Sequence, residues 1–289
     1  MRELSLELLS AHRARTYCIQ PDLRLRTAED AVSFVNERGY IFFWPIKGIE
    51  LPSLWVAAAG DRPVPDEHDD PGHITWDWKD SLLGKKRWYY GRILRHRNTI
   101  LSLEDAAYFY ALSPNFGDPE NDYLEAYEQG RLTMEARLVY EALLREGPLD
   151  TLALRKAARL SSESSTGRFD QALGRLQEYF MVLPVGSSSA GAWHYAFVYD
   201  LTVRHFPDLP ERARFIQEKS ARQRLIRDYF SSVGAAPRAS AGRLFGWNRE
   251  DIENALCPLI EDGDLVDQVL HPERKGEFLS LSGLITEQS

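Results

Sequence analysis

The sequence predicts a mostly helical α+β fold in which one small module, three helices followed by a hairpin, recurs in tandem. Three observations carry this expectation. Amphipathic helical stretches give way to short runs rich in Val, Tyr and Phe along the C-terminal half. ALGRL (Ala172 to Leu176) and ALCPL (Ala255 to Leu259) echo each other, with Arg159-Leu160 and Arg243-Leu244 in nearly the same places upstream. A spacing of about eighty residues suggests two copies of one fold. Glycine and proline stand where such helices should stop.

The elements follow in order. Leu4 to Cys18 predicts a helix, and Thr27 to Arg38 a second one opened by a Thr27/Asp30 capping pattern. Gly39 ends it and YIFFW reads as a buried strand, which fits a winged-helix-like N-terminal region. Leu103 to Leu112 is a short helix, and Ser113 to Asp122 is a loop rich in Pro, Asn, Gly and Asp. In the first clear module, Thr133 to Arg145 places Leu138, Val139, Ala142 and Leu143 on one face, and Gly147-Pro148 stops it. Leu152 to Leu160 is the second helix. Thr166 to Phe180 is the third, with Phe169, Leu173, Leu176 and Phe180 at helical spacing. MVLPV and WHYAFVYDL then read as strands joined by a GSSSAG turn.

HFPDLPERARF, with Pro207 and Pro210, reads as a linker to the second copy. There the helices are Ala221 to Val233, Arg238 to Phe245 and Asn248 to Glu261, the last capped by Asn248 with Ile252, Leu256, Leu259 and Ile260 inward. Gly263 to Val269 and Glu277 to Leu281 form its hairpin. Three helices and a hairpin make the winged helix-turn-helix pattern. The expected domains are a winged-helix-like region over 1–130, a middle winged helix over 131–206 and a C-terminal one over 212–289.

The 289 residues, 44% hydrophobic and 27% charged, suit a globular chain of two or three domains with real cores. Cys18 and Cys257 are too few and too far apart for a disulfide framework or zinc cluster, and read as reduced, buried cysteines of a cytoplasmic protein. The opening stretch is amphipathic rather than a signal sequence, and no run reaches the ~18 apolar residues of a membrane span. No membrane association is expected. A net charge of −8 argues against a coat protein for nucleic acid and leaves room for a local basic cleft.

That basicity is concentrated in KDSLLGKKRWYYGRILRHR, Lys79 to Arg97. Lys85, Lys86, Arg87, Arg92, Arg95 and Arg97, with His96, surround Trp88, Tyr89 and Tyr90, and Trp76 and Trp78 precede them. Cations neutralise phosphates and aromatic faces stack on bases, so the segment predicts nucleic-acid contacts, with Trp88 or Tyr89 stacking on an unpaired base. The outward face of the first module's third helix adds Arg168, Gln171, Arg175 and Gln177, and Ser161, Ser162, Ser164, Ser165 and Thr166 stand at the preceding turn. The second copy shows Arg249, Glu250, Asp251, Glu253 and Glu261, which would repel phosphates. It reads as a structural or protein-contact module. DEHDD (Asp66 to Asp70) with His73 lies among Gly and Pro and reads as a solvated loop rather than a metal site. No Ser-His-Asp spacing, P-loop, GxGxxG or CxxC is present, and no cofactor is expected.

With winged-helix repeats following a basic, aromatic N-terminal region, the chain resembles the AlkZ/YcaQ-type bacterial DNA glycosylases. The local match is GYIFFWPI, Gly39 to Ile46. In that family a Gly-apolar-apolar segment leads into a Gln-x-Gln or Gln-x-Asp motif whose polar side chains position water at a flipped nucleotide. The resemblance implies a winged-helix DNA-binding protein related to enzymes that unhook alkylated or crosslinked bases. Here the two polar positions fall on Phe42 and Trp44, which cannot orient water as an amide or carboxylate does but could stack on a base. The family's Glu-Ala-Ser-Leu-Leu stretch is echoed by Lys79-Asp80-Ser81-Leu82-Leu83, with lysine at the glutamate's place.

Three readings therefore stand. The first is a DNA-binding tandem winged-helix protein, related to those glycosylases and without their usual base excision. Its DNA would be a duplex, damaged or distorted, whose weakened base is cheapest to unstack. The second is an active DNA glycosylase with displaced catalytic groups, for which Asp80, Asp77 and Glu50 are the candidate carboxylates. The third is a winged-helix regulator or scaffold that binds a protein through its C-terminal module.

Overall fold

The computed structural model describes residues 2–65, 69–191 and 194–287. The chain opens with β1 (Arg2–Leu4), α1 (Leu6–Thr16), α2 (Ala28–Arg38), β2 (Tyr40–Phe42), α3 (Leu54–Ala59) and α4 (Ile74–Leu83). Next come β3 (Tyr89–Arg92), β4 (Asn98–Leu101), α5 (Leu103–Ala111) and α6 (Asp122–Glu128). The middle holds α7 (Met134–Glu146), β5 (Leu149–Asp150), α8 (Thr151–Ala157), α9 (Thr166–Glu178), β6 (Val182–Ser188) and β7 (Ala196–Leu201). Short α10 (Thr202–His205) and α11 (Leu209–Ala213) lead to α12 (Glu218–Val233), β8 (Ala235–Pro237), α13 (Ala239–Phe245) and α14 (Arg249–Glu261). The chain closes with β9 (Leu265–Val269), β10 (Phe278–Leu281) and β11 (Ile285–Glu287). It is a mixed α and β fold, mostly helical, with small sheets.

Two compact units result, each assembled from separated stretches. The first comprises Met1–Trp78, Ile100–Asp105 and Gln217–Ser289, and the second Lys79–Thr99 and Ala106–Ile216. In the second unit α7, β5, α8, α9, β6 and β7 succeed one another, and β7 lies between β5 and β6, antiparallel to both. In the first unit α12, β8, α13, α14, β9 and β10 succeed one another, and β10 lies between β8 and β9. The echo in the sequence is therefore an echo in topology. The strand that opens each sheet, β5 or β8, is only two or three residues long. Neither offers enough residues for a period-two pattern, so neither was expected.

Burial follows the helical spacing. Phe169, Leu173 and Leu176 on α9 pack with Val139 and Leu143 of α7, Leu154 of α8 and Leu201 of β7. Each such side chain contributes roughly 1.5–3 kcal/mol on leaving water. In the first unit β1 pairs antiparallel with β11, Leu4 opposite Ile285, and Leu4 packs with Phe278 and Leu284. Caps fix the helix starts: Thr27 and Asp30 form the expected capping box of α2, and Asn248 caps α14.

Several expectations change. Lys79 to Arg97, for which no element was expected, supplies the end of α4, all of β3 and a 3-10 turn at Leu94–His96. Gly186 to Ser188 extend β6 instead of turning, and Ala192 and Trp193 lie outside the described residues. The proline-marked linker carries α11 and buries Phe206, Leu209 and Ala213. Cys257 is exposed on α14 and Cys18 is only partly covered.

Gly39 ends α2 with φ +78°, a conformation that side chains with a Cβ adopt at a cost. Its carbonyl accepts from the Ser102 N–H at 2.7 Å, and a Cβ on it would overlap the Asp105 carboxylate. Gly39→Ala is expected to destabilise the protein by about 3 kcal/mol, combining left-handed backbone strain with the displacement of a buried acid. Urea unfolding checks this, and a loss below ~1 kcal/mol would show that the contact relaxes freely.

Candidate nucleic-acid interface

The outer face of α9 borders a cleft of 680 Å³ in the second unit. Arg168 and Gln171 are exposed on the helix, and Arg175 is partly covered. Arg92 reaches the same cleft from the end of β3, His96 from the turn after it, and Arg131 from the turn before α7. Arg92 lies over Gly174 of α9, its guanidinium 3.8 Å from where a Cβ would stand, an ordinary van der Waals contact. The Arg92 N–H donates to Gln177 Oε1 at 3.1 Å, which ties β3 to the helix.

Four arginines line the cleft against two carboxylates, Glu135 and Asp170. Three of them are paired: Arg92 to Asp170 at 2.8 Å, Arg168 to Glu135 at 2.9 Å, and Arg175 to Glu178 at 2.7 Å. Arg131 has a buried Nε without a hydrogen-bond partner. Solvent-exposed ion pairs of this kind contribute about 0–1 kcal/mol each, so an arriving phosphate can take their place at little cost. Guanidinium forks suit phosphate oxygens in pairs, and the arrangement can therefore bind a polyanion.

The structure thus brings together Arg92, Arg168 and Arg175, which the sequence singled out in separate segments. It does not add the expected aromatics. Trp88 and Tyr89 are 2% and 0% exposed, so neither can stack on a base from the surface. Tyr89 packs on Phe180 and Phe206, with ring centroids 4.6 and 5.8 Å away, and its hydroxyl meets Thr202 at 3.2 Å. Lys85, Lys86, Arg87, Arg95 and Arg97 are exposed, as expected of side chains that meet a partner, but none of them lines the cleft. Gln177 and Ser165 are buried, Gln177 held by the Leu173 carbonyl and Ser165 by that of Leu160. Neither can face a base or phosphate.

In the first unit Phe42 is fully buried, with its N–H on the Pro52 carbonyl, so it cannot stack on a base. Trp44 is partly exposed in a cluster with Phe43, Trp55 and Trp76 at centroid distances of 4.7, 5.3 and 5.9 Å. The three candidate carboxylates are differently placed. Asp77 is exposed. Glu50 is held by Arg13 at 2.8 Å and Arg274 at 3.0 Å. Asp80 belongs to a ring of three groups: Lys79 Nζ lies 2.7 Å from its carboxylate, and the Tyr195 hydroxyl accepts from Lys79 and donates to Asp80, both at 2.8 Å. Lys79 is wholly buried, with Nζ 4.4 Å from the centre of Phe197. Burial lowers its pKa and Asp80 offsets this. Asp80 is thus committed to a buried cation. Arg131 was missed in the sequence because no motif marks it; only its place after Gly130, at the turn into α7, was visible. Asp69, Asp70 and His73 form no metal cluster among the described residues, and Asp66, Glu67 and His68 lie outside them.

The chain is a mostly helical α and β fold whose second unit carries a cleft lined by four arginines. The chain belongs to the AlkZ-related family, whose model matches residues 25–246. Its structure is similar to that of the Streptomyces sahachiroi DNA glycosylase AlkZ, with a TM-score of 0.61 at 13% identity over 97% of this chain and 71% of that one. No curated protein sequence matches the chain. Among the described residues no helix is long and apolar enough to cross a membrane.

Proposed function

We propose that this protein binds DNA through tandem winged helices and does not excise bases by its family's usual route. The arginine-lined cleft on α9 carries the reading, because α9 is the third helix of its module and stands in the position of a recognition helix. Family membership and likeness to a DNA glycosylase support DNA as the partner. The matching topologies of the two modules support winged helices over 131–206 and 212–289; the expected winged-helix-like region over 1–130 has no such support, because its residues are shared out between the two compact units. Phe42 and Trp44, at the positions where the resemblance calls for polar side chains, support the loss of excision, and Trp44 is the aromatic left to meet a base.

The test is binding to single-stranded, intact, nicked and alkylated duplexes beside a base-release assay. Four arginine contacts predict that log K falls against log salt with a slope of about −3.5. A flat salt dependence, or no binding at low salt, would leave the scaffold reading instead. Two acids of α14 are engaged within the module: Glu253 clamps Arg238 together with Asp267 of β9, and Asp251 meets Arg222 at 3.5 Å. That favours a structural or protein-contact role for this helix. Base release that Asp80→Asn abolishes would support the displaced-residue glycosylase.

A further inference from the structure

A second basic cavity, of 270 Å³, lies wholly within the first unit. It is lined by Arg243 of α13, Arg274 of the β9–β10 loop, Ser240, Tyr229 and Glu50. Arg243 makes a 3.1 Å bond to the Ser240 hydroxyl, and Arg274 reaches Glu50 at 3.0 Å. The Tyr229 phenol also hydrogen-bonds Ser240, and burial raises its pKa, so it remains a neutral hydroxyl. Behind the cavity Arg13 is fixed: its guanidinium donates to the Val233 and Ala235 carbonyls at 2.9 and 2.8 Å and to Glu50 at 2.8 Å.

The loop that presents Arg274 is built to hold it. The His271 Nδ1 accepts the N–H groups of Glu273 and Arg274 at 3.1 and 3.2 Å, which only a ring unprotonated at that nitrogen can do. Burial, and then the Arg274 cation, lower the His271 pKa and keep it so. Arg274 itself lies over the Phe278 ring, 5.2 Å from its centre.

We propose that this cavity is a phosphate site, in which Arg243, Arg274 and the Ser240 hydroxyl take a phosphate group and Glu50 is the internal anion that Arg274 leaves to reach it. Two guanidinium forks and a hydroxyl match the several acceptor oxygens of a phosphate better than the two of a carboxylate. Arg274 is half exposed and reaches Glu50 through one ion pair, whereas Arg13 is held beside Glu50 by its two carbonyl anchors as well. The site gives the C-terminal module an anion contact through its loop and second helix, although its third helix is acidic.

The test uses the full chain, titrated calorimetrically with inorganic phosphate and, separately, with a DNA duplex. Arg243→Ala and Arg274→Ala should each weaken phosphate binding about tenfold. Glu50→Gln keeps the shape and removes the opposing charge, so it should strengthen binding several-fold, which a merely structural role for Glu50 would not produce. A parallel loss of duplex affinity in the two arginine variants identifies a backbone phosphate as the ligand; unchanged duplex affinity identifies a free phosphate ester. Phosphate binding that is indifferent to both arginine variants, or weakened by Glu50→Gln, overturns the site. The phosphate titration does not depend on the α9 cleft, since Arg168 lines that cleft and not this cavity.

Discussion

Replacing Arg92, Arg168 and Arg175 together with glutamate is expected to lower affinity for a DNA duplex about a thousandfold. Each arginine that meets a phosphate supplies on the order of 1–1.5 kcal/mol, and three such losses sum to ~4 kcal/mol before the repulsion of the new carboxylates is counted. The slope of log K against log salt should shrink by about 3 in the same variant. Stability should change much less, because the pairs broken are solvent-exposed ones with Asp170, Glu135 and Glu178. Urea unfolding of the variant is the control. The matching reversal of Lys85, Lys86 and Arg87 separates the cleft from the remainder of the basic run. Should that second triple abolish binding and the first leave it intact, the interface lies at the end of α4 and α9 is a bystander.

The helices were legible because their chemistry is local. Phe169, Leu173 and Leu176 are spaced so that one face of α9 is apolar, and all three are buried, as is Phe180 just beyond the helix end. The same wheel could have corrected one expectation. At 100° per residue Arg168, Gln171 and Arg175 fall within about 60° of one another, while Gln177 falls about 180° from Arg168 and faces inward. The burial of Trp88 and Tyr89 was not recoverable in this way. Composition cannot tell a ring that stacks on a base from one that fills a core, and both occur beside cations. Tyr89 is decided by Phe180, Phe206 and Thr202, all about a hundred residues downstream. Likewise Asp80 looks available beside Lys79 until Tyr195 closes the ring around both. The cleft itself was half visible: its arginines stood out one segment at a time, but only folding shows that Arg92 and α9 share a surface.

Stability is expected to fall by a few kcal/mol as pH rises from about 4 to 7 at one site in the first unit, and Asp228→Asn is expected to abolish that fall. Asp228 of α12 and the buried Asp105 lie side by side, with Arg224 2.7 Å from the first and 3.6 Å from the second. Burial, and then the Asp105 charge, push the Asp228 carboxyl up to about 7 despite Arg224. Burial raises Asp105 as well, against its bond to Ser102. Below the ordinary carboxylate value of 3.8 both the folded and the unfolded chain carry the proton. Between that value and about 7 the unfolded chain releases it and the folded chain keeps it, so the native state loses ground as pH rises. A shift of this size corresponds to roughly 4 kcal/mol as an upper bound, since the neighbouring arginine and relaxation share the load. His12, His205 and His271, whose pKa values burial lowers, act in the opposite direction below 6.5. The informative quantity is therefore the difference between wild type and Asp228→Asn, measured by urea unfolding at pH 5, 6, 7 and 8. That difference should grow in the variant's favour as pH rises, because the amide removes one of two carboxylates that share a single arginine. A difference that is constant across the series, or that grows in favour of wild type, would show that both acids ionise freely beside Arg224.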